Sequence, residues 1–257
     1  MLIRFVAENI FSFGDRKEFN MLPRPRLRTL NNHKYSFNGV EVLKLTTIYG
    51  ANGAGKSNFI KALASLQDIV VKGETPFKLK DTRFKFQDLK QNRSQVLAVE
   101  FIQKDQAFYY AVEIADGIFL TEELYYSGLG KSKDTLIFER KSMPDGSTRL
   151  NFLEAFEADK KSEIIKSVLL EEFIKPNKSI LKLISNRDNK HLNGAKSAYD
   201  WFSQTLQIIT PDSKPVALAD RIDRDSNFKK YANAITASFG LGINALKVER
   251  KDVNDFF

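Results

Sequence analysis

Apolar and polar residues alternate from Leu2 to Glu8, with Ile3, Phe5 and Ala7 on one face. This period of two predicts a half-buried strand. The run Asn9-Ile10-Phe11-Ser12-Phe13-Gly14 predicts a turn, and Arg16 to Met21 a returning strand. Leu43 to Tyr49 is rich in β-formers and predicts another strand. Directly after it the period changes. Phe59, Ile60, Leu63 and Leu66 recur at helical spacing and predict a helix from Ser57 to Leu66. Lys72-Gly73-Glu74-Thr75-Pro76 predicts a break.

Residues 78–140 read mainly as strands. Val96–Ile102 and Phe108–Ile114 flank the polar turn Lys104-Asp105-Gln106, and Ile118–Tyr126 and Thr135–Arg140 follow. Such closely spaced hairpins predict an antiparallel sheet. From Asn151 to Phe239 the pattern becomes helical. Phe152, Phe156, Ile164, Ile165, Val168, Leu169 and Phe173 would form one apolar face, opposite Lys160, Lys161 and Lys166. A second helix is expected over Ala195–Ile208, with Tyr199, Phe202 and Leu206 inward and Pro211 ending it. A third is expected over Phe228–Phe239. Trp201 reads as a packing anchor. The resulting division is 1–76 for the N-terminal strands and nucleotide core, 77–150 for an antiparallel β-subdomain, 151–240 for a helical insertion and 241–257 for a return toward the core.

The junction between the predicted strand and helix carries the chemistry. Residues 50–57 read Gly-Ala-Asn-Gly-Ala-Gly-Lys-Ser, a complete G-x-x-x-x-G-K-S phosphate loop. Gly50, Gly53 and Gly55 lack a Cβ, so the backbone can curl its N–H groups around a phosphate. Lys56 would place its ammonium on the β- and γ-phosphates, and the Ser57 hydroxyl would sit on Mg²⁺. The helix dipole adds positive charge at the same place. The expected nucleotide contacts are Gly50, Ala51, Asn52, Gly53, Ala54, Gly55, Lys56, Ser57 and Asn58, with Lys56 as the catalytic residue and ATP with Mg²⁺ as the ligands. A second Gly-Lys-Ser, at 130–132, has Tyr125 where the first glycine should stand, and Lys133-Asp134 follow it in place of an apolar helix. It reads as a loop between strands.

Composition narrows the chemistry further. The chain has no cysteine, which excludes disulfides, thiolate metal sites and a cysteine nucleophile. His33 and His191 are its only histidines, too few for a histidine metal cage, and each reads as a surface polar residue. No apolar run is long enough to span a membrane, and a cytoplasmic protein without membrane contact is expected. The net charge is +8, and residues 1–40 carry half of it. There Pro23-Arg24-Pro25-Arg26-Leu27-Arg28 alternates proline with arginine. A nucleic-acid backbone contact is its functional reading, and a solvated basic loop the bland one.

The N-terminal hairpin, the long connection and Tyr49-Gly50-Ala51-Asn52-Gly53-Ala54-Gly55-Lys56-Ser57-Asn58 together resemble the ABC- and SMC-like AAA-family ATPases of bacterial anti-phage systems: OLD-, Rlo-, Septu- and retron-associated ATPases. Val99-Glu100-Phe101-Ile102, Tyr109-Tyr110 and Glu122-Glu123-Leu124 are similar to the strands that follow the helix in that group. Asp200-Trp201-Phe202 with Leu206–Pro211 resembles its helical insertion, and Gly240-Leu241-Gly242-Ile243 the segment leading back to the core. The resemblance implies an α/β fold, a P-loop NTPase core of ABC/SMC-head type with an antiparallel β-subdomain and a helical insertion. It also implies ATP held between two heads of a homodimer or higher oligomer, gating an associated nuclease or toxin effector.

Two departures stand out. Many SMC-like heads place an arginine in the turn after the first strand. This chain has Asn9-Ile10-Phe11-Ser12-Phe13 there, with Ser12 and Phe13 as candidates to approach the nucleotide. The family also carries four apolar residues followed by Asp-Glu, which hold Mg²⁺ and position water. Phe119-Leu120-Thr121-Glu122-Glu123 is the nearest imitation and is interrupted by Thr121, while Leu169-Leu170-Glu171-Glu172 sits in a helical pattern. No Ser-Gly-Gly-type signature loop is seen. This favours the N-terminal portion of a longer ATPase, with a half-ATPase completed by another chain as the alternative. Competing functions are an SMC-like DNA-repair ATPase, for which residues 151–239 lack long heptad arms, and a nucleotide-binding interaction module without turnover. A GTPase is disfavoured, since Asn186-Arg187-Asp188 and Asn189-Lys190-His191 both fail the guanine-reading pattern.

Overall fold

The structure, a computed structural model, describes residues 1–24, 29, 31–86, 94–213 and 216–249. Residues 25–28 of the proline–arginine segment lie outside the described residues, as do Asp255, Phe256 and Phe257. The chain divides into two units, Met1–Ile208 and Ile209–Phe257.

The first unit is built on a seven-stranded sheet. Its strands are β1 (Leu2–Glu8), β2 (Lys17–Asn20), β5 (Ser94–Gln103), β6 (Gln106–Ala115), β7 (Ile118–Tyr126), β8 (Thr135–Ser142) and β9 (Thr148–Phe152). They run in the order β2-β1-β5-β6-β7-β8-β9, every neighbouring pair antiparallel. The expected antiparallel strands are thus present, and β1 and β2 belong to the same sheet. Lys104 and Asp105 turn β5 into β6 with positive φ of 47° and 56°, which matches the twist of a tight hairpin. A separate hairpin pairs β3 (Lys34–Phe37) with β4 (Val40–Leu43).

The strand expected over Leu43–Tyr49 is not formed. β4 ends at Leu43, and residues 45–50 join no strand among the described residues. Leu45, Ile48 and Tyr49 remain exposed, at 71%, 42% and 87%. β-propensity alone does not make a strand, because the ladder and the packing of a pleated face supply its stability.

Helix α1 (Lys56–Lys72) follows, longer than the predicted Ser57–Leu66. It turns Ala62, Leu63, Leu66, Ile69 and Val70 into the core shared with Phe5, Leu97, Val99 and Phe101 of the sheet. Phe59 meets the Phe5 ring edge-on at 5.5 Å. Gly73 ends the helix in the left-handed conformation (φ 77°), its N–H donating to the Ile69 carbonyl.

The first predicted helix of the insertion is broken. Phe152 closes β9 rather than opening a helix. Then come α2 (Glu154–Glu157), α3 (Lys160–Val168) and a π-turn over Leu169–Phe173. With the phase interrupted, Phe152, Phe156 and Leu169 are buried, whereas Ile164, Val168 and Phe173 are exposed. α4 (Ile180–Ser185) and α5 (Asn193–Asp200) follow. α5 ends at Asp200, not at Pro211. It passes into a π-turn over Trp201–Thr205, closed by the Leu206 N–H on the Trp201 carbonyl at 2.7 Å. The turn brings two successive side chains, Trp201 and Phe202, into the core. Trp201 stacks on Phe101 with centroids 4.2 Å apart, the expected packing role.

In the second unit α6 (Val216–Arg224) and α7 (Ser226–Ser238) are joined at Asp225. The Asp225 carboxylate accepts from the N–H groups of Asn227 and Phe228 and so caps α7. Among the described residues no helix is long and apolar enough to cross a membrane.

Candidate functional site

The glycine loop stands at the N-terminus of α1, as its spacing predicts. Gly53 and Gly55 have φ of 81° and 92°, a region that side chains bearing a Cβ rarely enter. Around Gly53 there is open space, so its backbone angle alone calls for glycine. At Gly55 a Cβ would also stand 2.6 Å from the Ser12 Oγ. Asn52, Gly53, Ala54, Gly55, Lys56, Ser57 and Asn58 line a cavity of about 260 Å³. Gly50 and Ala51 complete the curl from the other side: the Lys56 ammonium donates to their carbonyls at 2.7 and 2.8 Å. Lys56 therefore folds back over the loop and is held by charge-assisted hydrogen bonds. An anion in the cradle would draw the same ammonium outward.

The turn between β1 and β2 forms the wall facing the loop. Asn9 and Phe11 adopt positive φ of 50° and 52°, and Ile10 pairs with Phe13 across the turn. Buried Asn9 fixes it: its side-chain amide donates to the Ser94 carbonyl at 2.8 Å, and its side-chain oxygen accepts from the Phe84 N–H at 3.3 Å. The Phe11 N–H donates to the Thr82 carbonyl. The structure thus brings Ser12 against Gly55. Phe13 lines an apolar cavity of about 230 Å³ with Phe19, Ile48, Tyr49, Lys56 and Phe59. Asn58 and Ser12 line a further cavity of about 400 Å³ with Phe11, Thr82, Phe84 and Phe86.

The acidic candidates lie elsewhere. Glu122 is fully buried. Its carboxylate accepts from the Tyr110 and Ser179 hydroxyls at 3.0 and 2.8 Å and from the N–H groups of Ile180 and Leu181 at 2.7 and 3.0 Å. It caps α4 from across the core. Burial, and then the charge of Glu122, push the Tyr110 hydroxyl well above its ordinary pKa. Buried Arg140 beside them donates to the Lys178 carbonyl at 2.7 Å and the Lys175 carbonyl at 3.1 Å. Glu123 points to the opposite face of the sheet, in register with Glu139, and Glu171 and Glu172 are exposed in the π-turn. Among the described residues the 260 Å³ cradle is lined by no carboxylate, and no cluster of three or more metal-binding side chains occurs.

The second Gly-Lys-Ser lies in the loop between β7 and β8. Its amides are already used: the Lys131 and Ser132 N–H groups donate to the Gly128 carbonyl at 2.9 and 3.2 Å. Sequence reasoning did not find Gln67, on α1, whose side-chain amide donates to the carbonyls of Phe202 and Leu206 at 2.7 and 2.8 Å. It ties the helix that begins at the loop to the far π-turn. Only a polar residue within an otherwise apolar helical stripe hinted at it.

A glycine cradle at a helix N-terminus, with the Lys56 ammonium curled above it, defines a P-loop NTPase-like domain. The family described as “AAA domain, putative AbiEii toxin, Type IV TA system” matches residues 45–232, most of the chain, and the chain belongs to that AAA ATPase family. No curated protein matches it.

Proposed function

We propose that this chain is the ATP-binding and ATP-hydrolysing subunit of a bacterial anti-phage defence complex, with its nucleotide state gating an associated nuclease or toxin. The glycine cradle at residues 50–58 carries the ATP part of this reading. Backbone N–H groups and Lys56 take the phosphates, and Ser57 takes Mg²⁺. The defence part is supported by the resemblance to anti-phage ATPases and by the family description, which names a toxin of a type IV toxin–antitoxin system. Exposed Leu45, Ile48 and Tyr49 on the approach to the loop support a protein partner at this end of the domain. That partner would be a second head or the effector.

The carboxylate-free cradle favours a second reading, a nucleotide-binding module in which this chain alone does not turn ATP over. The decisive measurement is mant-ATP binding and phosphate release, by the wild type and Lys56→Ala. Binding that Lys56→Ala weakens at least about tenfold, with phosphate release, supports the ATPase. Lys56-dependent binding without release supports the silent module. Wild-type binding that ignores the substitution removes both readings.

A further inference from the structure

We propose that residues 77–86, between α1 and β5, form a binding surface for single-stranded nucleic acid. The segment reads Phe-Lys-Leu-Lys-Asp-Thr-Arg-Phe-Lys-Phe. Phe77 and Phe86 are 86% and 92% exposed, a large outlay of aromatic surface in so short a stretch. Lys78, Lys80 and Lys85 are exposed between them, with Asp81 the one acid in the segment. Arg83 is engaged by Asp116 at 2.7 Å, so the three lysines are the charges offered to a ligand.

The backbone beneath is held. Leu79 is buried, the Thr82 carbonyl accepts from the Phe11 N–H, and the Thr82 hydroxyl accepts from Gln95 at 3.1 Å. A fixed backbone with aromatic faces outward loses little entropy when a base stacks on it. Two overlapping cavities lie along the segment. One, of about 500 Å³, is lined by Lys80, Asp81, Arg83, Phe84 and Lys85. The other, of about 400 Å³, has Asp81, Arg83, Phe84 and Lys85 in common with it and reaches Phe86, Ser12 and Asn58. At the near end the Lys80 ammonium lies 5.4 Å from the Phe77 ring centre, and at the far end Phe84 meets Phe86 edge-on at 5.8 Å.

Rings at both ends with ammonium groups between them suit a strand whose bases stack and whose phosphates meet the lysines. An acidic peptide would use the charges and leave both rings in water. A single nucleotide held by the glycine loop would leave Phe77 and Lys80 unused, since neither lines the cradle or the cavity of Asn58. A duplex keeps its bases stacked within itself and away from the rings. The Phe77 end of the surface is separate from the nucleotide site, since neither Phe77 nor Lys80 lines the glycine cradle or the cavity of Asn58.

The test is fluorescence anisotropy of labelled oligo(dT) with the whole chain, between about 50 and 200 mM salt. It compares the wild type with Phe77→Ala/Phe86→Ala, with Lys78→Glu/Lys80→Glu/Lys85→Glu and with Arg24→Glu/Arg26→Glu/Arg28→Glu. All substituted side chains of residues 77–86 are exposed, and circular dichroism checks the fold. The aromatic pair is expected to weaken oligo(dT) about fivefold or more, and the lysine triple to flatten the salt slope by about two. Blunt duplex should compete poorly, and mant-ATP binding should be unchanged in the single variant Phe77→Ala, whose ring lines neither the glycine cradle nor the cavity of Asn58. The proposal is overturned by wild type that does not bind oligo(dT), or by affinity that follows only the Arg24 triple. Equal competition by duplex overturns it as well. So does an aromatic variant that loses mant-ATP and keeps oligo(dT), which would reassign the rings to the nucleotide base.

Discussion

The Oγ of Ser12 lies 2.6 Å from the point where a Cβ on Gly55 would stand. One residue belongs to the turn after the first strand, the other to the last glycine before α1. Their contact places the turn after β1 against the phosphate cradle, and a Cβ on Gly55 would crowd the Ser12 hydroxyl.

Gly55→Ala meets two obstacles, a φ of 92° and the Ser12 hydroxyl. The backbone strain costs about 1–3 kcal/mol. We expect mant-ATP binding to fall at least about tenfold, the equivalent of 1.4 kcal/mol. Ser12→Gly added to Gly55→Ala relieves the clash and not the φ, so only part of the binding should return. Full recovery in the double variant would show that sterics alone fix this glycine.

Glu122→Ala would strand two hydroxyls and two amides in the core. A loss of about 3–5 kcal/mol is expected in urea unfolding, the range for removing one partner from a buried charged network. Glu122→Gln keeps the shape and part of the hydrogen bonding and should lose less. Phosphate release per folded molecule should be the same in Glu122→Gln as in the wild type. A selective loss of turnover with stability intact would instead make Glu122 part of the reaction.

Glu123 faces Glu139 directly across β7 and β8. Burial first, and then the Glu139 charge, raise its carboxyl above the ordinary range. The same burial, followed by the charges of Glu123 and Glu139, pushes the neighbouring Tyr125 hydroxyl to about 12. A carboxyl raised by folding binds its proton more tightly in the native state. Its ionisation therefore costs stability, and the cost grows as pH rises from the unfolded pKa through the folded one. Glu123→Gln is expected to raise Tm at neutral pH. The gain is below about 1 kcal/mol because the site is partly solvated, and it should shrink toward zero below about pH 4. An equal gain at both pH values would assign the effect to packing.

The chemistry of the loop was legible in the sequence because it depends on local backbone. Gly53, Gly55 and Lys56 at fixed spacing before a helical period leave few other conformations. The hairpins of residues 94–142 were legible for the same reason, since alternation and tight turns are properties of neighbours along the chain.

Tertiary structure decided the rest. The stretch 43–49 carries the side chains of a strand, yet Lys44–Tyr49 join no ladder among the described residues, because a strand exists only beside a partner. The helix expected over 195–208 became α5 and a π-turn, because burying adjacent Trp201 and Phe202 outweighs regular hydrogen bonding. Glu122 resembled an acidic strand end and proved to be a cap for α4, a partner 58 residues away in sequence from Ile180. Ser12 was expected near the nucleotide only through its place in the turn after the first strand, and its contact with Gly55 is set by the fold. Period and backbone conformation are written in consecutive residues. Which distant groups meet depends on the order of strands in the sheet, and that order appears only when the chain is folded.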